Sequence, residues 1–160
     1  MRIGIDARLY GPIHTGIGRY VKNLIDHLLL IDKRNPYVLF GDPLLLADYT
    51  TNPQVKIVRY TPRVYTLAEQ ILGPWVFTRE KLDLLHVPHL NAPLAYRGKL
   101  VITIHDLIKH YSVGPRTSTL PAWQYALKHL GYKATVARNV SAATAIIAPT
   151  QYTKSQLIDT

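Results

Sequence analysis

Apolar positions along the chain follow two alternating rhythms. Residues 2–7 form a short apolar run, followed by a loop carrying Gly11, Pro12, Gly16 and Gly18. Ile17, Val21, Leu24, Ile25 and Leu28 then recur at i, i+4, i+7, i+8 and i+11. That spacing predicts a helix with those five side chains on one face and Arg19, Lys22, Asn23 and Asp26 turned outward. Asn35-Pro36 breaks it, because a proline disfavours helical backbone in the residue before it. Residues 37–40 and 55–59 are apolar or β-branched and bounded by Gly, Pro and Asn, as strands are. A helical pattern returns over 67–81, with Gly73-Pro74 expected to start a turn or kink it. Residues 84–87 and 100–104 predict two more buried strands, 120–142 a helix interrupted by Gly131, and 145–148 a last strand before Pro149-Thr150. The helical pattern that restarts at Gln151 has no room to cap before residue 160, which predicts further chain.

Short continuous apolar strands separated by helices imply a mostly parallel sheet covered on both faces, since parallel strands need crossover connections. The expectation is an α/β, three-layer, Rossmann-like domain spanning residues 1–160. Composition agrees with a globule: 48% of residues are hydrophobic and 18% charged, enough to bury a core and too apolar for disorder. The absence of cysteine excludes disulfides, thiolate metal sites and cysteine nucleophiles. The longest run without charge, 139–153, is too short and too polar to span a bilayer. Asp6 interrupts the stretch where a signal peptide needs unbroken apolar residues, so the expected location is cytoplasmic.

Ligands of open α/β sheets gather outside the carboxyl ends of the strands. Four such ends carry chemistry. Asp6-Ala7-Arg8 leads to Thr15-Gly16-Ile17-Gly18-Arg19, a glycine-bearing turn feeding a helix whose free amides and dipole favour an anion. The loop before that helix is longer than a plain strand-to-helix turn requires. Its spacing is neither the GxGxxG dinucleotide fingerprint nor a Walker loop, and the alternative is that Gly16 and Gly18 only permit a tight turn. At the second end, His105 and Asp106 follow a predicted central strand, where a histidine can bind a phosphate or hydroxyl or act as a base. The alternative is a satisfied histidine beside a capping aspartate. At the third, His86-Val87-Pro88-His89 is a weak metal pair with no third clustered ligand, and His89 with Asn91 is better suited to binding hydroxyls. At the fourth, Thr150 suits a helix N-cap.

The net charge is +9, and no acid occurs between Asp106 and Asp159, while Lys109, Arg116, Lys128, Lys133, Arg138 and Lys154 are interleaved with Tyr111, Trp123, Tyr125 and Tyr132. Such a stretch suits an anionic membrane interface, or a solvated helix face with its aromatics packed inward. The segment 60–79, with Trp75 and Phe77, is equally open. Nucleic acid is not an expected partner: no recognition motif occurs and the basic residues are scattered.

The ordered set RIGIDARLYGPIHTGIGRYVKNLIDHLL, NPYVLF, DLLHVPHLNAPL, KLVITIHDLI and AIIAPTQYTKSQLI resembles the N-terminal half of the retaining GT-B glycosyltransferases of group 1, family four. The resemblance runs over nearly the whole chain in order. It implies two face-to-face Rossmann-like domains, of which this chain resembles the first, acceptor-side one. It further implies transfer of a hexosyl group, mannosyl among the candidates, from a nucleotide-sugar to a glycan or glycolipid. By that resemblance Gly16, Ile17, Gly18 and Arg19 approach the donor pyrophosphate, and His105 reaches the reacting centre with Asp106 in support. His89, Asn91 and Thr150 line the cleft. Neither metal nor other cofactor is implied. The family's basic pair and paired glutamates belong to a C-terminal domain, the implied partner in cis or trans, so this chain alone is expected to be inactive. Two alternatives stand beside it. One is a stand-alone module docking on an anionic membrane or protein. The other, a nucleotide-dependent oxidoreductase, is disfavoured because the fingerprint is missing and the only ribose-binding acid, in Phe40-Gly41-Asp42, is expected in a loop.

Overall fold

A computed structural model describes residues 1–106 and 122–158. The elements are β1 (Ile3–Asp6), α1 (Thr15–Ile31), β2 (Tyr37–Gly41), β3 (Val55–Arg59), α2 (Leu67–Arg79), β4 (Leu84–Val87), β5 (Leu100–Thr103), α3 (Ala122–Ala142), β6 (Ala145–Ile147) and α4 (Gln151–Ile158). Single 3-10 turns lie at Pro12–His14 and Ala47–Tyr49. The strands pair in the order β3-β2-β1-β4-β5-β6, and every pairing is parallel. That is the doubly wound order of Rossmann-like domains, so the expected three-layer α/β class is the observed one.

Alternation along the strands divides the core in two. Ile5, Tyr37 and Leu39 project onto the side covered by α1, where they meet Val21, Ile25, Leu29 and Leu46. Val38, Phe40, Leu85, Val87, Leu100 and Ile102 project onto the other side, against Phe77 of α2 and Val136 of α3. The edge strand β3 exposes Lys56 and Arg59, charges that discourage pairing with another chain. Gly4 sits in β1 because a Cβ there would approach Leu82 Cδ1 to 2.5 Å.

Four local expectations are refined by the structure. The buried stripe of α1 is Gly18, Val21, Ile25 and Leu29, with Leu24 and Leu28 half-buried at its flank. Ile17 and Leu28 pack on the same core, and Gly18 lets α1 close onto the preceding loop, since a Cβ there would lie 1.9 Å from the Gly11 carbonyl oxygen. Asp26, expected to point outward, is half-buried and accepts the Tyr49 hydroxyl at 2.6 Å while pairing with Lys22 at 2.5 Å. Gly73-Pro74 does not start a turn, since α2 runs through both residues. Gly73 is instead a contact point, since a Cβ would come within 2.5 Å of Pro93 Cγ and 2.8 Å of the Tyr60 hydroxyl. Finally, Phe40 and Gly41 belong to β2, and Asp42 follows it directly, with its carboxylate holding the Leu44 N–H at 3.0 Å in a turn.

Candidate functional site

Because all strands run one way, their carboxyl ends share one rim, and the chain switches direction of travel across the sheet between β1 and β4. Crevices of this fold open there. Asp6 ends β1, and Pro88-His89 follows β4. Two polar assemblies occupy this rim, one on each side of the sheet.

The first lies on the α2 side and is built around a buried arginine. Arg8 Nε donates to Asp6 Oδ1 at 2.9 Å, its Nη2 bridges Asp6 Oδ2 at 2.6 Å and Glu69 Oε1 at 2.5 Å, and its Nη1 reaches the Pro62 carbonyl at 2.9 Å. The guanidinium also stacks on Tyr60, 4.6 Å from the ring centroid. Asp6 and Glu69 are fully buried. Glu69 is delivered by the first turn of α2, where Thr66 Oγ1 caps the Glu69 N–H in a Thr-x-x-Glu arrangement. Its side chain then accepts the Tyr65 N–H at 2.7 Å and the Asn91 side-chain amide. His89 completes the assembly. Its Nδ1 accepts the Asn91 N–H at 3.2 Å, which leaves the proton on Nε2, 3.3 Å from Asp6 Oδ2. Burial works against the Asp6 carboxylate, but Arg8 and His89 outweigh it and hold Asp6 well below the usual carboxylate range. Burial likewise opposes the Arg8 charge, and Asp6 and Glu69 overcome it, raising Arg8 above its ordinary value.

Asp6, Glu69 and His89 bring one ligand atom each within 4.8 Å of one another, the geometry of a cation site. The cation joining the two carboxylates is Arg8 itself, so this triad is built as an ion-pair network.

The second assembly lies on the α1 side. Tyr20 of α1, Thr103 of β5 and His86 of β4 form a chain, with Tyr20 Oη 3.0 Å from Thr103 Oγ1 and that hydroxyl 2.8 Å from His86 Nε2. Burial pushes His86 down to about 4, so it is neutral at pH 7. The Tyr20 ring meets His105 edge-on at 4.8 Å. His105 Nε2 donates to the Pro88 carbonyl at 3.1 Å, which fixes the tautomer and leaves Nδ1 as an acceptor. The His105 carbonyl accepts the Thr153 hydroxyl at 3.1 Å, and Thr150 Oγ1 caps the Thr153 N–H at 3.1 Å. Thr150 is thus the N-cap of α4, and α4 is tied to the end of β5.

The glycine turn sits beside this second assembly. Gly11, at φ 100°, and the Pro12–His14 turn bring the chain to α1, whose first residue Thr15 has a positive φ of 49°. The His14 N–H bonds to Gly11 and the Thr15 N–H to Pro12, while no side chain caps the helix and no acid stands in its first turn. Of the four amides that a helix N-terminus presents, those of Gly16 and Ile17 are the two without a hydrogen bond to a described residue. Among the described residues, a Cβ on Gly16 would meet nothing within 4 Å.

Among the expected site residues, Gly16, Ile17, Gly18 and His105 fall on one side of the rim, linked through Tyr20. The Ile17 side chain packs into the core, so only its backbone faces chemistry, and Gly18 serves helix packing. Arg19 and Asp106 are exposed. His89 and Asn91, expected to bind hydroxyls, are buried on the other side of the rim and engaged with Asp6 and Glu69. His86 and His89 take different partners and do not converge as a metal pair. Arg8 and Thr103 were read from sequence only as members of the first and second strand ends, without these partners, and Glu69 and Tyr20 were not singled out. Lys109, Tyr111 and Arg116, with the side chains of Trp123, Tyr125 and Lys128, lie outside the described residues. Concavities of about 540 Å³ beside Asp26, Lys33 and Gln54 and about 360 Å³ beside Arg2, Lys56 and Glu80 open at the amino ends of the strands, away from this rim. No described helix is long and apolar enough to cross a membrane. Neither a protein-family model nor a curated protein matches the chain.

Proposed function

We propose that this chain is the acceptor-side, N-terminal half of a retaining GT-B glycosyltransferase, acting on a nucleotide-sugar together with a C-terminal domain. The observation that carries the reading is the pairing, on one side of the strand rim, of an uncapped glycine-bearing helix start with His105, bridged by Tyr20. In glycosyl transfer the bond from the anomeric carbon to the diphosphate oxygen breaks and a bond to the acceptor oxygen forms. Negative charge builds on the leaving diphosphate. The Gly16 and Ile17 amides, at the positive end of the α1 dipole, are suited to that charge. His105, protonated on Nε2 by its bond to Pro88, offers Nδ1 to a sugar or acceptor hydroxyl. Retention needs no enzyme carboxylate as nucleophile in this family's mechanism, and the two fully buried rim carboxylates, Asp6 and Glu69, are tied to Arg8.

The remaining charge stabilisation falls to the partner domain, since loss of one well-placed donor commonly lowers rate by about 10²-fold to 10³-fold. The test supplies a C-terminal domain in cis or trans and screens nucleotide-sugars for turnover. Transfer is expected only with both domains, and His105→Ala should remove most of it. Absence of transfer from every nucleotide-sugar would sink the enzyme reading. Tight nucleotide binding by residues 1–160 alone would instead mark a self-sufficient phosphate site.

A further inference from the structure

Helix α2 is apolar on both sides. Inward it buries Gly73 and Phe77, as a surface helix should. Outward it presents Leu67, Ile71 and Trp75 at i, i+4 and i+8, with 81%, 73% and 62% of their surfaces exposed, and Leu72 beside them. Leu94 joins this face, because its N–H is held by Gln70 Oε1 at 2.8 Å and its side chain is exposed. A helix apolar all round is normally covered on all sides, and contiguous exposed apolar surface marks a docking site.

The charge around the stripe decides what covers it. Glu69, the one acid in α2, is turned inward onto Arg8. Glu80, which follows the helix, is tied to Arg2 at 2.6 Å and Lys56 at 2.7 Å. The exposed rim is therefore cationic: Arg63 precedes the helix, Lys81 follows it, and Arg79 lies over the Trp75 ring at 5.4 Å from its centroid. A second copy docked through the same face would set these cations against their own equivalents. Aliphatic side chains around a tryptophan, edged by arginine and lysine on a chain of net charge +9, suit the boundary between lipid headgroups and acyl chains.

We propose that the outer face of α2 is a docking surface for an anionic lipid bilayer, with Leu67, Ile71 and Trp75 inserted at headgroup depth and Arg63, Arg79 and Lys81 on the lipid phosphates. This places the membrane-facing surface within the segment 60–79 that the sequence left open. It does not depend on the glycosyl-transfer reading, because the probe is a vesicle and no sugar is involved.

The full chain is co-sedimented with phosphatidylglycerol-containing vesicles and with pure phosphatidylcholine vesicles at about 0.1 M and about 1 M salt. Binding is expected to favour the anionic vesicles by roughly tenfold at low salt and to fall at high salt. The double variant Ile71→Glu/Trp75→Glu should weaken it by roughly tenfold or more. Both positions are exposed, so the variant keeps the wild-type circular dichroism and melting temperature. In a Trp123→Phe background Trp75 is the sole tryptophan, and its emission should shift to the blue on anionic vesicles alone. Failure to sediment, binding insensitive to salt, or undiminished binding by the double variant would each overturn the proposal. So would a wild-type dimer that the double variant abolishes while vesicles capture neither form, for then a second copy covers the face.

Discussion

Replacing Arg8 by methionine removes the one cation between two fully buried carboxylates, Asp6 and Glu69. The methionine approximates the arginine stem but supplies no hydrogen bonds, so five N–H contacts on Asp6, Glu69 and Pro62 vanish together. The net worth of the intact network is small, since desolvation offsets much of the Coulomb attraction. Breaking it from one side is different, because a buried charge is left without compensation, at a cost of about 3–5 kcal/mol. For a chain of this length about 2–4 °C of melting temperature accompanies each kcal/mol, so thermal unfolding should come roughly 6–20 °C earlier.

The pH dependence gives a sharper test. In the wild type, Asp6 titrates below its unfolded value near 3.9, so its contribution is fully present above about pH 4 and drains away as pH falls toward the depressed folded value. In Arg8→Met, burial is no longer opposed by the guanidinium, and a carboxyl of the pair takes up a proton on folding. Its folded pKa then lies above the unfolded one, and the variant must lose stability as pH rises from about 4 toward neutrality. Urea titrations followed by circular dichroism from about pH 2 to about pH 7 measure both slopes, the wild type losing stability below about pH 4 and the variant above it. A variant that melts within about 3 °C of wild type, with the same sign of slope, would refute the claim that Arg8 compensates two buried charges.

Two further predictions rest on equally local geometry. Gly18→Ala places a methyl 1.9 Å from the rigid Gly11 carbonyl and should destabilise by about 1–3 kcal/mol, whereas Gly16→Ala meets open space and should leave stability unchanged or raise it by up to about 1 kcal/mol; paired thermal melts compare them. His86, pushed down to about 4 by burial, should stay neutral in NMR titrations until well below the ordinary histidine range, and because only the unfolded chain protonates there, its contribution to stability declines as pH falls from about 6.5 to about 4. A His86 resonance titrating near 6.5 would contradict the burial seen in the Thr103 hydrogen-bond chain.

The parallel α/β architecture was readable because it rests on hydrophobic period, which each segment carries within itself. The boundaries of all six strands lie within a residue of the expected ones for that reason. Where period competed with residue stereotypes, the stereotypes misled. Gly73-Pro74 resembles a helix break, yet α2 runs through both, and Gly73 has a long-range reason invisible in a local window, since Pro93 and the Tyr60 hydroxyl lie where a Cβ at position 73 would stand. The burial of Gly18 in the α1 stripe has a similar origin, since the close approach at Gly11 is a property of two segments, not of the helix pattern.

The candidate site divides along the same line. His105 and the glycine turn were legible as strand-end chemistry, and the sheet order gathers them on one rim. Glu69 was hidden because Thr66-x-x-Glu69 reads as an ordinary capping box, and only the fold turns that carboxylate onto Arg8, far away in sequence. His89 and Asn91 were recognised as polar residues after a buried strand but given the wrong surroundings. Adjacent strand-end residues project to opposite sides of a sheet, so a histidine at the end of β5 and another just after β4 need not share a ligand. The physical consequence is a separation of duties across β1 and β4. The charged assembly on the α2 side is internally compensated and anchors the rim, while on the α1 side, among the described residues, no side chain caps the start of α1 and His105 is held by its Nε2 bond to Pro88. A substitution that weakens the Arg8 network should therefore act first on folding, whereas one at His105 should act first on whatever the rim binds.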